Sequence, residues 1–297
     1  MKHNYLNNRD ILKEIHKSKL TYCSFLTPED GHYDIILPSV DKINKKNTAE
    51  GKKLRAERLT RVAYDAAQAE TTTKLKLDDF TVKPAKIAVT DIVFRVMTWE
   101  HIPIDEAKTK KAAEKLAEEE GPAITEYDDD GIEIAAPAKY VKVNFPPFYH
   151  YRIDEDGKPY LVGKSHWKGS LESGTFSKDH GDMTKKLAHM FMKLCERYAT
   201  RSNWRGYTYN DEMRSQALLQ LSQIGLQFDE SKSQNPFAYY TAAITNSFTR
   251  VLNIEKRNQN LRDDILEMNG LTPSYTRQGM SSWGGGTGAT SGEYSDD

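Results

Sequence analysis

The stretch Asn235-Pro236-Phe237-Ala238-Tyr239-Tyr240-Thr241, continuing through Ile244, Phe248 and Val251 to Glu255-Lys256-Arg257, decides how the C-terminal third is read. Asn235-Pro236 breaks the chain. Proline suits a first helical position, where its missing N–H would have had no intrahelical partner. Ile244, Phe248 and Val251 then recur at helical spacing. The other side carries Asn246, Arg250, Asn253, Arg257 and Asn260, again three and four residues apart. The spacing predicts an amphipathic helix from about Phe237 to Arg257 or beyond, with a basic, amide-rich face opposite an apolar one.

Two more helical patterns precede it. Met213, Ala217, Leu221, Ile224 and Phe228 repeat every three or four residues, and Met183, Leu187, Met190, Phe191, Leu194 and Tyr198 share a face. Asn203-Trp204-Arg205-Gly206 separates them. Residues 183–278 hold thirteen Lys+Arg against nine Asp+Glu, so this helical module is net basic. After Gly279 the chain turns Gly/Ser/Thr-rich and ends Glu293-Tyr294-Ser295-Asp296-Asp297, which reads as a flexible tail with an acidic tip.

Upstream the character changes. Residues 4–20 read as a short amphipathic helix, capped by Asn7 or Asn8 and carrying Ile11, Leu12 and Ile15. Pro28–Gly31 ends that pattern. Residues 41–76, rich in Lys, Arg, Ala and Glu, read as one or two exposed helices. Ile92, Phe94 and Val96 alternate with Val93, Arg95 and Met97, a strand pattern. Val141, Val143 and Phe145 resume it. Tyr149–Ile153 and Tyr160–Val162, joined by Asp154-Glu155-Asp156-Gly157-Lys158, read as a β-hairpin. Between the strands, residues 105–135 hold eleven acids and four lysines, a short helix followed by an acidic loop. The expected organisation is therefore α+β. Its parts are an N-terminal helix (1–27), a β-rich unit with helical and acidic segments (28–180), a helical domain (181–278) and a tail (279–297).

Composition removes several classes of function. The chain has 297 residues, with 42 Lys+Arg against 43 Asp+Glu, too balanced for a protein that coats nucleic acid along its whole surface. Two cysteines, Cys23 and Cys195, exclude a disulfide framework and a cysteine zinc site. Cys195 lies beside an apolar stripe and reads as a buried thiol. No apolar run approaches the roughly 20 residues of a membrane helix, and the N-terminus lacks the apolar core of a signal peptide. Gly284-Gly285-Gly286 is not followed by Lys-Ser/Thr, so it is no phosphate loop. Two calcium-loop look-alikes, at Gly131 and Gly157, place Pro137 and Gly163 where a bidentate Glu is required. The histidines show no helical metal-ligand spacing, and no Ser-His-Asp set is visible. His180 and His189 read as loop and helix-surface residues. No catalytic residue, metal or cofactor is expected, and the chain is not read as an enzyme.

The polar face of the last helix offers chemistry of a different kind. Arginines can meet phosphates while asparagines meet base edges. Aromatic rings beside a basic groove can stack on single-stranded bases, each worth about 1–3 kcal/mol. The plainer reading is a surface helix whose leading aromatics pack into a core.

The phrases Tyr209-Asn210-Asp211-Glu212-Met213, Gln216-Ala217-Leu218, Ile224-Gly225-Leu226-Gln227-Phe228-Asp229, Asn235–Thr241 and Glu255-Lys256-Arg257 occur in this order. Together they resemble conserved region 2 of bacterial sigma factors. They are more similar still to the late-transcription sigma factors of large contractile-tailed phages. The resemblance spans about residues 183–262, and the opening Asn4-Tyr5-Leu6-Asn7-Asn8 adds to it. It implies a helical region-2-like module that binds the host's core RNA polymerase, in the bacterial cytoplasm, and directs it to AT-rich, −10-like late promoters. On this resemblance Asp211, Glu212, Gln216 and Gln220 dock on the coiled coil of the polymerase's largest subunit. Tyr239 and Tyr240 stack on or wedge beside flipped bases, Asn246 belongs to the DNA face, and Arg250, Lys256 and Arg257 hold the backbone. Base flipping is least costly at weakly stacked AT-rich steps. A phage co-activator and the replication sliding clamp join the implied partners, although the tail carries one aromatic and no aliphatic residue for a clamp motif. The docking run Met213-Arg214-Ser215-Gln216-Ala217 and the pair Ala243-Ile244 depart from housekeeping factors, whose base-by-base assignments therefore do not carry over. Without the resemblance, the same basic helix suits a repressor or architectural protein on duplex DNA.

Overall fold

The computed structural model describes residues 7–110 and 139–284. The fold is mixed α+β, 51% helical and 12% strand, so helix dominates as the patterning implied. It divides into two compact units. One comprises residues 1–190 with 223–239, the other residues 191–222 with 240–297.

The first unit is built on a five-stranded sheet, in the order β1 (Cys23–Phe25), β5 (Pro159–Ser165), β4 (Phe148–Ile153), β3 (Phe94–Met97), β2 (Ile35–Leu37). Only β2 and β3 run parallel; the other neighbours are antiparallel. A two-stranded ribbon, β6 (Trp167–Lys168) and β7 (Thr175–Phe176), follows β5. The β4–β5 pair is the expected hairpin. Gly157 takes φ 82° at its turn, a left-handed conformation that glycine adopts without a Cβ clash.

Period-two alternation sends Phe94 and Val96 to one face, where they pack with Ile35, Leu37, Ile92 and Ile153. Helix α2 (Lys45–Glu70) lies against these residues, and a Cβ on Gly51 would come within 2.9 Å of the Ile92 Cγ2. It is one helix, and its polar composition does not leave it wholly exposed: Gly51, Ala56 and Thr60 are buried. Arg55 and Arg58 also reach the fully buried Asp34, at 3.3 and 2.6 Å, and Asp34 accepts the Val93 N–H as well.

Arg95 points to the opposite face and is fully buried. Its guanidinium lies 3.8 Å from the centroids of both Tyr33 and Phe148, donates to His150 Nε2 at 2.9 Å and approaches Glu230 at 3.4 Å. Lys19, from α1 (Asn8–Leu20), donates to the same Glu230 carboxylate at 2.9 Å and to the Phe228 carbonyl at 2.6 Å. Two buried cations thus share one carboxylate. Burial lowers the Lys19 pKa, partly offset by Glu230, and holds His16 and His150 well below the usual imidazole range.

Asn7 is the cap of α1, its side chain accepting the Asp10 N–H at 2.7 Å. Val143 and Phe145 are buried but lie outside any strand, where the alternation had predicted one. Of the acidic segment at 105–135, only residues 105–110 are described. The Asp105 side chain accepts the Lys108 N–H at the start of a helical turn. Gly131, Pro137 and the loop expected there lie outside the described residues, as do residues 1–6 and 285–297.

The second unit is helical. It draws on α3 (Lys185–Ala199), α4 (Asn210–Ile224), α5 (Pro236–Met268) and α6 (Tyr275–Gly284). Its core collects Phe191, Leu194, Tyr198, Met213, Ala217, Leu221, Ile244, Phe248 and Val251, the residues the periodicity marked. Trp204 and Tyr240 join them. The Trp204 and Tyr198 rings meet Phe248 edge-on at 5.3 and 5.4 Å. Burial pushes the Cys195 thiol up to about 11 and Cys23 up to about 12, so both stay neutral.

The compact units cut across the expected segments. Of the expected N-terminal element, the described residues 7–27 cluster with the sheet unit. The expected domain at 181–278 is split as well. Residues 181–190 and 223–239 cluster with the sheet, because Lys19, Arg95 and Asn8 hold the segment from Phe228 to Phe237. Gly279 lies inside the last described helix. Gly270, at φ 69°, ends α5 in a Schellman arrangement with Leu271 N–H bonded to the Leu266 carbonyl. Ser274 then bonds Asp263 through its N–H and hydroxyl, and α6 continues to Gly284. Among the described residues no helix is long and apolar enough to cross a membrane.

Candidate nucleic-acid interface

Helix α5 begins as its sequence implied. Pro236 is its first residue and the Asn235 side chain accepts the Ala238 N–H at 3.1 Å. Within the second unit, Ile244, Phe248 and Val251 turn into the core. The geometry of a helix then sends Asn246, Arg250, Asn253 and Arg257 outward. Together with Thr249 and Ile254, these four residues line one shallow, open depression. Arg250 and Arg257 form no ion pair among the described residues. Their charges are exposed, and their donors are available to an anion.

The structure therefore brings together Asn246, Arg250 and Arg257 of the expected DNA set, and adds Asn253. Lys256 is exposed but does not line the depression. Two lining residues were not marked by the periodicity: Thr249 and Ile254, the latter an apolar side chain among the polar ones, join the row only once the helix is placed.

Tyr240 requires a correction. It is 0% exposed and packs edge-on against Phe191 at 4.7 Å between ring centroids. A ring in that position cannot stack on a base while the helix stays folded. The signal was in the sequence, since Tyr240 precedes Ile244 by four residues and so belongs to the apolar stripe. Tyr239 is half-buried, belongs to the sheet unit and contacts Phe228 edge-on at 5.6 Å. Burial raises its phenol pKa, so it stays protonated.

Helix α4 presents the other expected set. Asp211, Glu212 and Gln216 are exposed and Gln220 is half-buried, while Met213, Ala217 and Leu221 face the core. Glu212 accepts from Gln216 at 3.0 Å, and Asp211 pairs with Arg214 at 3.2 Å. Leu219, 54% exposed, adds an apolar side chain to this outer surface. An exposed helix with acids, amides and a leucine is a surface on which a partner helix can pack.

Two further places were not marked by the sequence. Tyr207 and Tyr209 are half-buried with ring centroids 5.2 Å apart, and Tyr209 lines a niche with Glu255, Gln259 and Arg262. In the sheet unit, a hollow of about 820 Å³ is lined by Leu12, His16, Tyr33, Ile36, Leu54 and Glu230 among others. Its lining divides between apolar side chains and polar ones such as His16, Ser231 and Gln234, and the Glu230 carboxylate on it is engaged by Lys19 and Arg95. Among the described residues no group of His, Cys, Asp and Glu could hold a metal ion.

Comparison with family models, with curated protein sequences and with solved structures yields no match to this chain.

Proposed function

We propose that this protein is a sigma-type initiation factor, one that brings a host's core RNA polymerase to AT-rich late promoters of a phage and assists their melting. The observation that carries this reading is the outer face of α5, where Asn246, Arg250, Asn253 and Arg257 stand exposed in one row with both arginines unpaired. Guanidinium groups placed in this way attract phosphates over several ångströms and donate to them bidentately. The asparagines between them can bond base edges. The exposed acid and amide face of α4, directly upstream in the chain, supports the reading as the surface that docks on polymerase. The order of the two helices agrees with the sigma-factor resemblance.

In the proposed mechanism α4 binds the polymerase through Asp211, Glu212, Gln216 and Gln220. Helix α5 lays Arg250 and Arg257 on the backbone of the promoter. Lys256 serves the same electrostatic field from the flank. Tyr239 is the remaining ring for stacking, since Tyr240 is committed to the core. The protein needs no catalytic group, because the polymerase performs the chemistry.

Run-off transcription with purified bacterial core polymerase on an AT-rich late-promoter template tests this. Initiation at a single start site that requires the protein is the expected result. Failure of the protein to co-elute with core polymerase from the native host, together with no transcript, would overturn the proposal. Tight, sequence-specific binding of the protein alone to duplex DNA would favour a repressor instead.

A further inference from the structure

A second excess of positive charge lies upstream of α4. Residues 191–209 hold Lys193, Arg197, Arg201 and Arg205 against a single acid, Glu196. The four cations stand four residues apart. Arg197, Arg201 and Arg205 are exposed, and none has an ion-pair partner among the described residues. Past the end of α3 the chain keeps a helix-like bond, from the Arg205 N–H to the Arg201 carbonyl at 3.0 Å, so the line continues through the turn. Four residues of helix rise about 6 Å, which makes the line from Arg197 to Arg205 about 12 Å long. One strand of a duplex carries a charge about every 3.4 Å along its axis, so the line spans about three phosphates.

The neighbouring acids do not neutralise it. Glu196 lies about 100° around α3 from Arg197 and about 140° from Arg201. Asp211 pairs with Arg214 at 3.2 Å, and Glu212 accepts from Gln216 at 3.0 Å.

The line also meets the polar row of α5 within the same unit. The Arg201 guanidinium is held 4.2 Å from the centroid of the Tyr198 ring, which orders it while leaving its N–H groups for other acceptors. The hydroxyl of that tyrosine is bonded to the Thr245 hydroxyl at 2.5 Å. Thr245, Thr249, Asn253 and Arg257 then follow one another at four-residue steps along one flank of α5, and the last three line its open depression. Arg201 is therefore one aromatic ring away from the row on α5.

We infer that Arg197, Arg201 and Arg205 form a second backbone-binding line, which holds the phosphates of a nucleic-acid strand beside the α5 row. The inference rests on reading the helical unit as a nucleic-acid binder, and it extends the footprint of that unit from α5 to the end of α3. Diester phosphates suit the line better than scattered carboxylates, because its charges are evenly spaced and run on into residues that can meet base edges.

The probe is a fluorescein-labelled oligothymidylate, titrated by anisotropy into the full-length protein at several salt concentrations. Replacing Arg197, Arg201 and Arg205 together by Ala should weaken binding at low salt by at least about tenfold. It should also reduce the slope of log affinity against log salt by about 2, at roughly 0.7 for each lost phosphate contact. Replacing the same three by Lys should keep most of that slope, since the charge remains. Circular dichroism should show both variants folded. An unchanged affinity and slope in the Ala variant, an equal loss in the Lys variant, or no binding by the parent protein would overturn the inference. So would an Ala variant that loses affinity for core polymerase but not for the oligonucleotide, because the occupant is then an acidic protein surface. The pair Arg250→Ala and Arg257→Ala, titrated alongside, separates the two readings. Flattening by that pair but not by the α3 triple overturns the inference alone, whereas flattening by the triple but not by the pair supports it and removes the α5 row from the site.

Discussion

The two units treat charge in opposite ways. The sheet unit buries its charges. Asp34, Arg95, Lys19 and Asp30 are nearly inaccessible, and each is tied into a network with Arg58, Glu230, His150 or Arg152. The helical unit displays its charges, with Asp263, buried against Ser274, as the exception. Arg250 and Arg257 stand in solvent without an acid near enough to pair, over a core that is almost wholly apolar. A buried ion costs several kcal/mol to desolvate and survives only with partners that stay in place. An exposed, unpaired guanidinium costs little and retains its full capacity for an external anion. Charge in the first unit is therefore architecture, and charge in the second is available for recognition.

The contrast breaks most visibly at Glu230. Glu230→Ala leaves Lys19 and Arg95 buried without an acid and should destabilise the sheet unit by about 3–5 kcal/mol. Urea unfolding followed by circular dichroism measures this, and a change below about 1 kcal/mol would mean that solvent reaches the cluster. Acid should attack the same unit next. His16 and His150 are held neutral chiefly by burial, and burial likewise brings His166 to about 3. Their folded pKa values lie below the unfolded value of about 6.5, so their stabilising contribution is complete above that pH and is lost as pH falls through the interval below it. Each imidazole can cost up to about 2 kcal/mol at pH 5, and melting temperatures taken from pH 7.5 to 5 should fall steadily.

Substitutions in the helical unit should show the reverse profile. The pair Arg250→Ala and Arg257→Ala should leave unfolding free energy within about 0.5 kcal/mol of the parent. The same pair should weaken promoter binding by the holoenzyme and flatten its dependence on salt, as two lost phosphate contacts require. A flat response of DNA affinity, with or without salt, would remove this face from the interface. The smallest effect is expected from Glu212→Lys, which reverses one rim charge on α4. Affinity for core polymerase should fall several-fold with no loss of fold, read by surface plasmon resonance.

Much of this contrast was legible before the chain was folded, and the reasons differ by element. Helices α3, α4 and α5 were visible because the residues that make each apolar stripe lie within one window of sequence. The β4–β5 hairpin was visible because its turn carries its own signals in Asp154 to Lys158. The basic-amide row on α5 follows from phase alone, once the apolar side is known. The exposed tyrosine expected at position 240 shows the limit of reading by residue type. Aromatics beside a basic face suggest stacking, but the four-residue step to Ile244 had already assigned that ring to the core.

The sequence by itself determined the helical character of α1, α3, α4 and α5, the β4–β5 hairpin, the start of α5 at Asn235-Pro236, and which face of those helices is apolar. Those properties depend on torsions, capping groups and periodicities that act over a few residues. Only the tertiary structure decided that Arg95 lies between Tyr33 and Phe148, and that Glu230 serves both Arg95 and Lys19. It also decided that residues 223–239 fold with the sheet, and that α5 buries its apolar residues up to Val251 while Ile254, Leu261, Ile265 and Met268 beyond it are exposed. Those outcomes depend on which distant segments meet. A local pattern states that a side chain favours burial; what buries it is fixed only when the chain closes on itself.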